Sequence, residues 1–275
     1  MSETEKSYKK YLIILPAALL VFSIIYVIVV PLNLDIDFKG GSQITGKFGS
    51  ISVTELEAKL SQFSAIVMET SSATGKTYII DLPPEAETEK VVAYMKSNGI
   101  EVSEINMQTI GPALGSSFLK QAQFALIAAF IAMSLVVFIM FRAFMPSLYV
   151  VLAGFADIVE ALAFSQILGI KLSLATFAAL LLLLGYSVDT DILLTSRVLK
   201  GEGVLQEKIR GAFRTGITMT GTAFAVLVAM FFLSGSVILG QIAAVLLIGL
   251  LFDVINTWIT NSELLEVYVK RRYGV

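Results

Sequence analysis

The 275-residue sequence contains neither cysteine nor histidine. Without cysteine there is no disulfide, no thiolate nucleophile and no zinc–thiolate site. Without histidine the commonest proton shuttle, the commonest metal ligand and the serine–histidine pairing are all missing. Charged residues make up only 15 % of the chain and the net charge is −2, so no basic surface invites nucleic acid. Any proton chemistry must run through carboxylates, with Arg, Lys, Tyr or Ser beside them.

What is abundant is apolar sequence. Hydrophobic residues are 56 % of the chain and the mean hydropathy is +0.81, the profile of a polytopic α-helical membrane protein. Six segments reach the length of a spanning helix, at 11–30, 122–141, 147–168, 174–195, 216–234 and 239–260. The first outlasts a signal-peptide core and is followed by no Ala-x-Ala-like site, so it reads as an anchor. An even number of spans puts both termini on one side. That side collects Lys6, Lys9, Lys10, Arg142, Arg197, Lys200, Lys208, Arg210, Arg214, Lys270, Arg271 and Arg272, whereas the short loops near 169–173 and 235–238 carry only Lys171. By the positive-inside rule the termini are cytoplasmic. The expected division is a cytoplasmic N-terminus at 1–10, a first transmembrane helix at 11–30, an external domain at 31–121, a five-helix transmembrane domain at 122–260 and a cytoplasmic C-terminus at 261–275.

Residues 31–121 read as strand, helix, strand, strand, helix, strand. Ser42 to Phe48 is extended. Residues 53–63 fit a helix, with Thr54 as N-cap and Glu57 completing a capping box. Ile66 to Thr70 and Thr77 to Leu82 form a strand pair around Ala73-Thr74-Gly75. Glu85 to Asn98 is helical between Pro83-Pro84 and Gly99, and Glu101 to Ile110 is a last strand. This is the order of a small ferredoxin-like α+β domain between helices 1 and 2. It carries no catalytic constellation.

The most informative stretch is Gly185-Tyr186-Ser187-Val188-Asp189-Thr190-Asp191, inside an apolar run. An ionised group at bilayer depth costs about 3 kcal/mol on insertion scales, so it must be paired, protonated or wet, and such residues mark function. Asp189 and Asp191 are separated by about 200° around a helix and face different neighbours. Gly185, one turn earlier, would admit a neighbouring backbone. Asp157 and Glu160 share a face of the third span. Asp253, Asn256, Thr257 and Thr260 form a stripe on the sixth. Arg214 opens the fifth span and could pair with Asp189 or Asp191, or snorkel to the interface. Together these residues are raw material for a proton path or a charge-compensated switch. Polar faces on several helices must be covered by protein or water, so a lone six-span unit would leave acids facing lipid.

Several motifs fall in chain order: Asp37-Phe38-Lys39-Gly40-Gly41 after the first span, Gly111-Pro112-Ala113-Leu114-Gly115 before the second, Ala156-Asp157, Gly185-Tyr186-Ser187 closed by Arg197, and Arg214-Thr215. With one span, an external domain and five clustered spans, the chain resembles the SecF family of protein-export membrane proteins, within the RND superfamily of proton-coupled proteins. It departs from the bacterial pattern at Ala156, where a histidine is usual, and at Asp189-Thr190, where Asn-Asp is usual. Both departures are similar to the archaeal branch. The resemblance implies a non-enzymatic accessory subunit of the Sec translocase in the cytoplasmic membrane. Its partners would be SecD, a SecY-type channel, the translocating polypeptide and the lipid bilayer. It would need no cofactor or metal, the proton gradient serving as energy source. Asp189 would be the main protonatable group, Asp191 a second acid and Arg214 a charge partner, with Asp157 and Asp253 in support. Gly40, Gly41, Pro112 and Gly115 would be junction residues, or ordinary turns. Two rival readings remain open. One is an RND-type half-transporter for a small molecule or lipid, and the other an intramembrane aspartyl protease pairing Asp189 with Asp253.

Overall fold

Alternating apolar and polar residues near the N-terminus build a sheet, and long apolar runs elsewhere build helices. The computed structural model describes residues 3–48, 51–72, 75–100 and 102–274; Ala73-Thr74, assigned above to a turn, and Glu101, assigned to a strand start, lie outside them. Helix α1 (Glu3–Val29) leads through the single turn α2 (Ile36–Lys39) to β1 (Gly41–Phe48), α3 (Val53–Leu60), β2 (Ile66–Ser72), β3 (Gly75–Leu82), α4 (Thr88–Ser97) and β4 (Val102–Ile110). The sheet order is β2-β3-β1-β4, and each neighbouring pair is antiparallel.

The period of two sorts the sheet's faces. Ile44, Phe48, Val67, Tyr78, Ile80 and Leu82 point to α3 and α4 and close a core with Leu56, Leu60, Val91 and Met95. Gln43, Thr45, Thr77, Ile79 and Gln108 line the opposite face, toward the membrane helices. Helix α3 starts one residue before the expected cap: Ser52, not Thr54, accepts the Glu55 N–H at 3.2 Å.

The rest of the chain is helical: α5 (Pro112–Phe141), α6 (Phe144–Ile167), α7 (Leu174–Lys200), α8 (Leu205–Leu233), α9 (Val237–Ile255), a π-helical turn (Asn256–Asn261) and α10 (Ser262–Tyr273). Among the described residues five helices are long and apolar enough to cross a membrane, the last running unbroken from Val237 to Tyr273, and Ile13–Val29 of α1 is a shorter apolar helix. Several helices overrun the apolar segments read from sequence. Helix α5 begins at Pro112, because a proline at its first turn needs no N–H partner. Helix α8 begins at Leu205, and the chain past residue 260 stays helical because Leu265 and Val269 pack on Leu194, Val198 and Ala212. Helices α6 and α7 are the innermost; α5 and α8 expose most of their surface, including Phe124, Ile131 and Val226.

Candidate functional site

Four carboxylates meet where α6, α7 and α9 pack together: Asp157, Glu160, Asp191 and Asp253 are each 0 % exposed. Helical spacing puts Asp157 and Glu160 on one face of α6. The amide of Asn256 donates to both, to Asp157 Oδ1 at 2.8 Å and to Glu160 Oε2 at 2.6 Å. The Ser187 hydroxyl donates to Asp157 Oδ2. Asn261 donates to Asp191 Oδ1 at 2.6 Å. Thr257 Oγ1 lies 3.0 Å from Asp191 Oδ1 and 3.1 Å from Asp253 Oδ1. A hydroxyl has one proton to give, so both contacts are hydrogen bonds at once only when one of the two carboxyls is itself a donor. Among the described residues every printed partner of the four acids is neutral, and no Lys or Arg forms an ion pair with them. Glu160 Oε1 and Asp191 Oδ2 accept no hydrogen bond there.

The π-helical turn makes this cluster. Residues five apart lie about 140° apart on an α-helix, so Asn256 and Asn261 would face different ways; a π turn closes i→i+5 and brings them to one side. The stripe read at α spacing ended on Thr260. In the structure Thr260 is half-buried with an unpartnered hydroxyl, and buried Asn261 takes its place. No sequence signal marked that shift.

Asp189 and Asp191 diverge as their spacing requires. Asp191 enters the cluster. Asp189 is exposed, on the rim of a groove of about 920 Å³ between α7, α8 and α9, with Gly185, Tyr186, Thr222 and Val226 among its walls. Among the described residues nothing lies within 4 Å of a Cβ placed on Gly185, so the expected close backbone contact is not made by any of them. Arg214 sits on the exposed face of α8, and no ion pair joins it to Asp189 or Asp191 among the described residues. Arg197 is exposed in the last turn of α7, where a cation suits the helix dipole. Asp189 and Asp253, the pair a protease would need, sit in different surroundings: Asp189 is exposed and Asp253 fully buried, and no hydrogen bond joins them among the described residues.

The two glycine motifs, far apart in sequence, form one joint. Gly40 has φ of +79°, and a Cβ there would come within 2.7 Å of Pro112 Cα. A Cβ on Gly115 would lie 2.8 Å from Gly40 N and 3.1 Å from Phe38 C. Gly41 meets Leu82 O in the same way, at 2.6 Å. Only glycine fits such backbone contacts. Gly111 is the N-cap of α5 and has open space around it. Phe38 is buried in the core of the helical bundle, edge-on to Phe177 at 6.4 Å. Asp37, also buried, accepts from Gln108 Nε2 at 3.1 Å and from the Leu174 N–H at 2.8 Å. Beside it burial, and then the Asp81 charge, raise the pKa of Asp35 above the ordinary carboxylate value.

The family model described as "Protein export membrane protein SecD/SecF, C-terminal" matches residues 90–271. The protein-export membrane protein SecF of Methanolacinia petrolearia is 41 % identical, over 95 % of this chain and 94 % of its own length. SecF of Methanothermobacter thermautotrophicus is 38 % identical over 97 % of this chain and 94 % of its own, and that of Methanocaldococcus jannaschii 36 % identical over 96 % of each. The crystal structure of SecDF, a translocon-associated membrane protein from Thermus thermophilus, has the same fold, with a TM-score of 0.83 at 21 % identity. It is matched over 96 % of this chain, which spans only 38 % of that longer one. The chain belongs to the SecD/SecF family of protein-export membrane proteins, as an archaeal-type SecF.

Proposed function

We propose, with that family as premise, that this chain is an accessory subunit of the Sec protein-export machinery, working with SecD and drawing on the proton motive force. In this reading α1 is a sixth span. Both termini are cytoplasmic, and the βαββαβ unit is a ferredoxin-like domain outside the cytoplasmic membrane, near a SecY-type channel and the emerging polypeptide. The observation that carries the reading is the set of four buried acids held only by neutral donors. An isolated buried charge is costly, and among the described residues no cation pairs with these acids. A proton arriving or leaving therefore changes the local charge without a compensating partner among those residues. Amides and hydroxyls serve both states, because a hydroxyl can donate to a carboxylate or accept from a carboxylic acid.

The magnitudes are matched. One charge crossing 100 mV delivers about 2.3 kcal/mol, while a hydrogen bond between transmembrane helices is worth about 0.6 kcal/mol on average. One proton can therefore rearrange several bonds of the kind that tie Asn256, Thr257 and Asn261 to α6 and α7. Asp191, inside the cluster, is the principal proton carrier in this scheme, with Asp157 and Asp253 beside it. Asp189 faces the groove where a SecD helix would cover it, and Arg214 serves that interface rather than the cluster. The test is export of a secreted reporter in cells whose only copy carries Asp191→Asn, Asp189→Asn or Thr190→Ala, at matched membrane levels. Slowed export with Asp191→Asn and normal export with Thr190→Ala is expected. Normal export with both aspartate variants would remove the proton role.

A further inference from the structure

The residues at the start of α7 are bonded to the sheet and to the strap leading into it by four separate contacts, one to β3 and three to the strap and α2. Lys171, in the loop before α7, pairs with Asp81 of β3, with the two side chains 6 % and 3 % exposed. Asp81 also accepts from Gln43 Nε2 at 2.9 Å and lies 3.9 Å from Lys39 Nζ. Leu172 accepts the Asp35 N–H at 2.8 Å and donates to Asn33 O at 2.8 Å, a parallel bridge onto the strap that leads into β1. Leu174, the first residue of α7, donates its N–H to Asp37, where a carboxylate is favoured by the helix dipole. Asp37 is held in turn by Gln108 of β4.

From that end α7 runs without a break to Asp191, about 26 Å along the axis, and no proline or π turn interrupts it. A continuous helix moves as a rod, so a tilt or slide at Asp191 reaches residues 171–174. The Lys171–Asp81 pair resists separation, because parting a buried pair strands two charges. A cavity of about 230 Å³ lies beside Lys171, between the sheet's underside and Ser236 and Gln241 at the start of α9, leaving space for the sheet to shift on that side. We propose that Lys171, Asp81 and Asp37 are positioning residues that latch the sheet domain to α7, so that rearrangement of the acid cluster moves the domain. This deepens the proposed function and rests on that reading for one premise, that the acids of α7 change state during the working cycle.

The experiment is hydrogen–deuterium exchange on the purified full chain in lipid nanodiscs, read on β1 and β3. Asp191→Leu removes the acceptor of Thr257 and Asn261 whatever its charge, and so perturbs the cluster directly. Exchange in the sheet is expected to rise about threefold or more. In a Lys171→Met background the same change is expected to add nothing, a non-additive pair of the kind that marks coupling. Lys171→Arg, which keeps the charge, is expected to keep the response. If Lys171→Met does not accumulate, Asp37→Ala replaces it at the other bond. Equal increments with and without Lys171, no response in the parent, or Lys171→Arg behaving like Lys171→Met would each overturn the latch. Exchange in the sheet tests the latch and reporter export tests the Sec reading, so failure of one leaves the other standing.

Discussion

The π turn makes a sharp prediction about two adjacent residues. In an α register Thr260 would face the acids; in the observed register Asn261 does, through a 2.6 Å bond to Asp191. Asn261→Leu keeps the volume and removes the donor. A hydrogen bond to a charged group is worth about 1.5–3 kcal/mol in soluble proteins, but transmembrane pairs average about 0.6 with a maximum near 1.7. Asp191 retains Thr257, so the lower range applies and about 1 kcal/mol is expected. Thr260→Val removes a hydroxyl that has no partner, which should be neutral or slightly stabilising. The assay is thermal unfolding of the purified chain in one detergent at one scan rate, since membrane proteins often unfold irreversibly. At about 2–4 °C per kcal/mol, Asn261→Leu should melt a few degrees below Thr260→Val. The reverse order would refute the π register and with it the geometry of the acid cluster.

Other outcomes follow from the same contacts. Gly115→Ala pushes a methyl onto the backbone of Phe38 and Gly40, and should cost about 1–3 kcal/mol, while Gly111→Ala, with open space, should melt like the parent. Ser52→Ala should cost the sheet domain about 1 kcal/mol by loss of the α3 cap, and Thr54→Ala almost nothing, as read by exchange of the α3 amides. For Asp35 the folded pKa is raised, so the folded state holds the proton more tightly than the unfolded one. Its contribution is therefore favourable in acid and is lost as pH rises from the ordinary value through the raised one. Asp35→Asn should melt above the parent at pH 7 and lose that advantage in strong acid.

Much of this was legible because bilayer chemistry is strict. Long apolar runs can only be helices, and the acids within them stand out against that background. The separation of Asp189 from Asp191 follows from 3.6 residues per turn and holds in the structure. The strand read at Thr77 to Leu82 is present as β3, two residues longer at its start. What the sequence concealed depends on contacts between distant segments. The close fit of Gly40 on Pro112 and Gly115 is a meeting of two backbones, and either motif alone reads as a turn. Asn261 was hidden because a π turn has no compositional mark. Lys171 counted only as the one cation of a short loop, since its partner Asp81 lies 90 residues away. Arg214 stayed open between pairing and snorkelling because its place at the start of a span says nothing about which face of α8 it occupies.

The choice of amides over cations around the acids has a mechanical consequence. An arginine bound to a buried carboxylate would hold it ionised and would resist its protonation, and parting that pair would cost about 3–5 kcal/mol. That exceeds the roughly 2.3 kcal/mol one proton gains per 100 mV. Neutral donors lower the barrier between the two charge states at the expense of stabilising neither strongly. The buried ion pair lies elsewhere, at Lys171–Asp81, where the proposed latch joins the sheet domain to α7. In the proposed scheme the chain thus separates a switchable polar cluster on one stretch of α7 from a stiff polar attachment at its N-terminal end. Exchanging the two designs, with Asn256→Arg at the cluster or Lys171→Gln at the attachment, should fix the first and slacken the second. Both variants are expected to slow reporter export, the first with a higher melting temperature and the second with a lower one. Equal melting shifts in the two would show that the division of labour is not real.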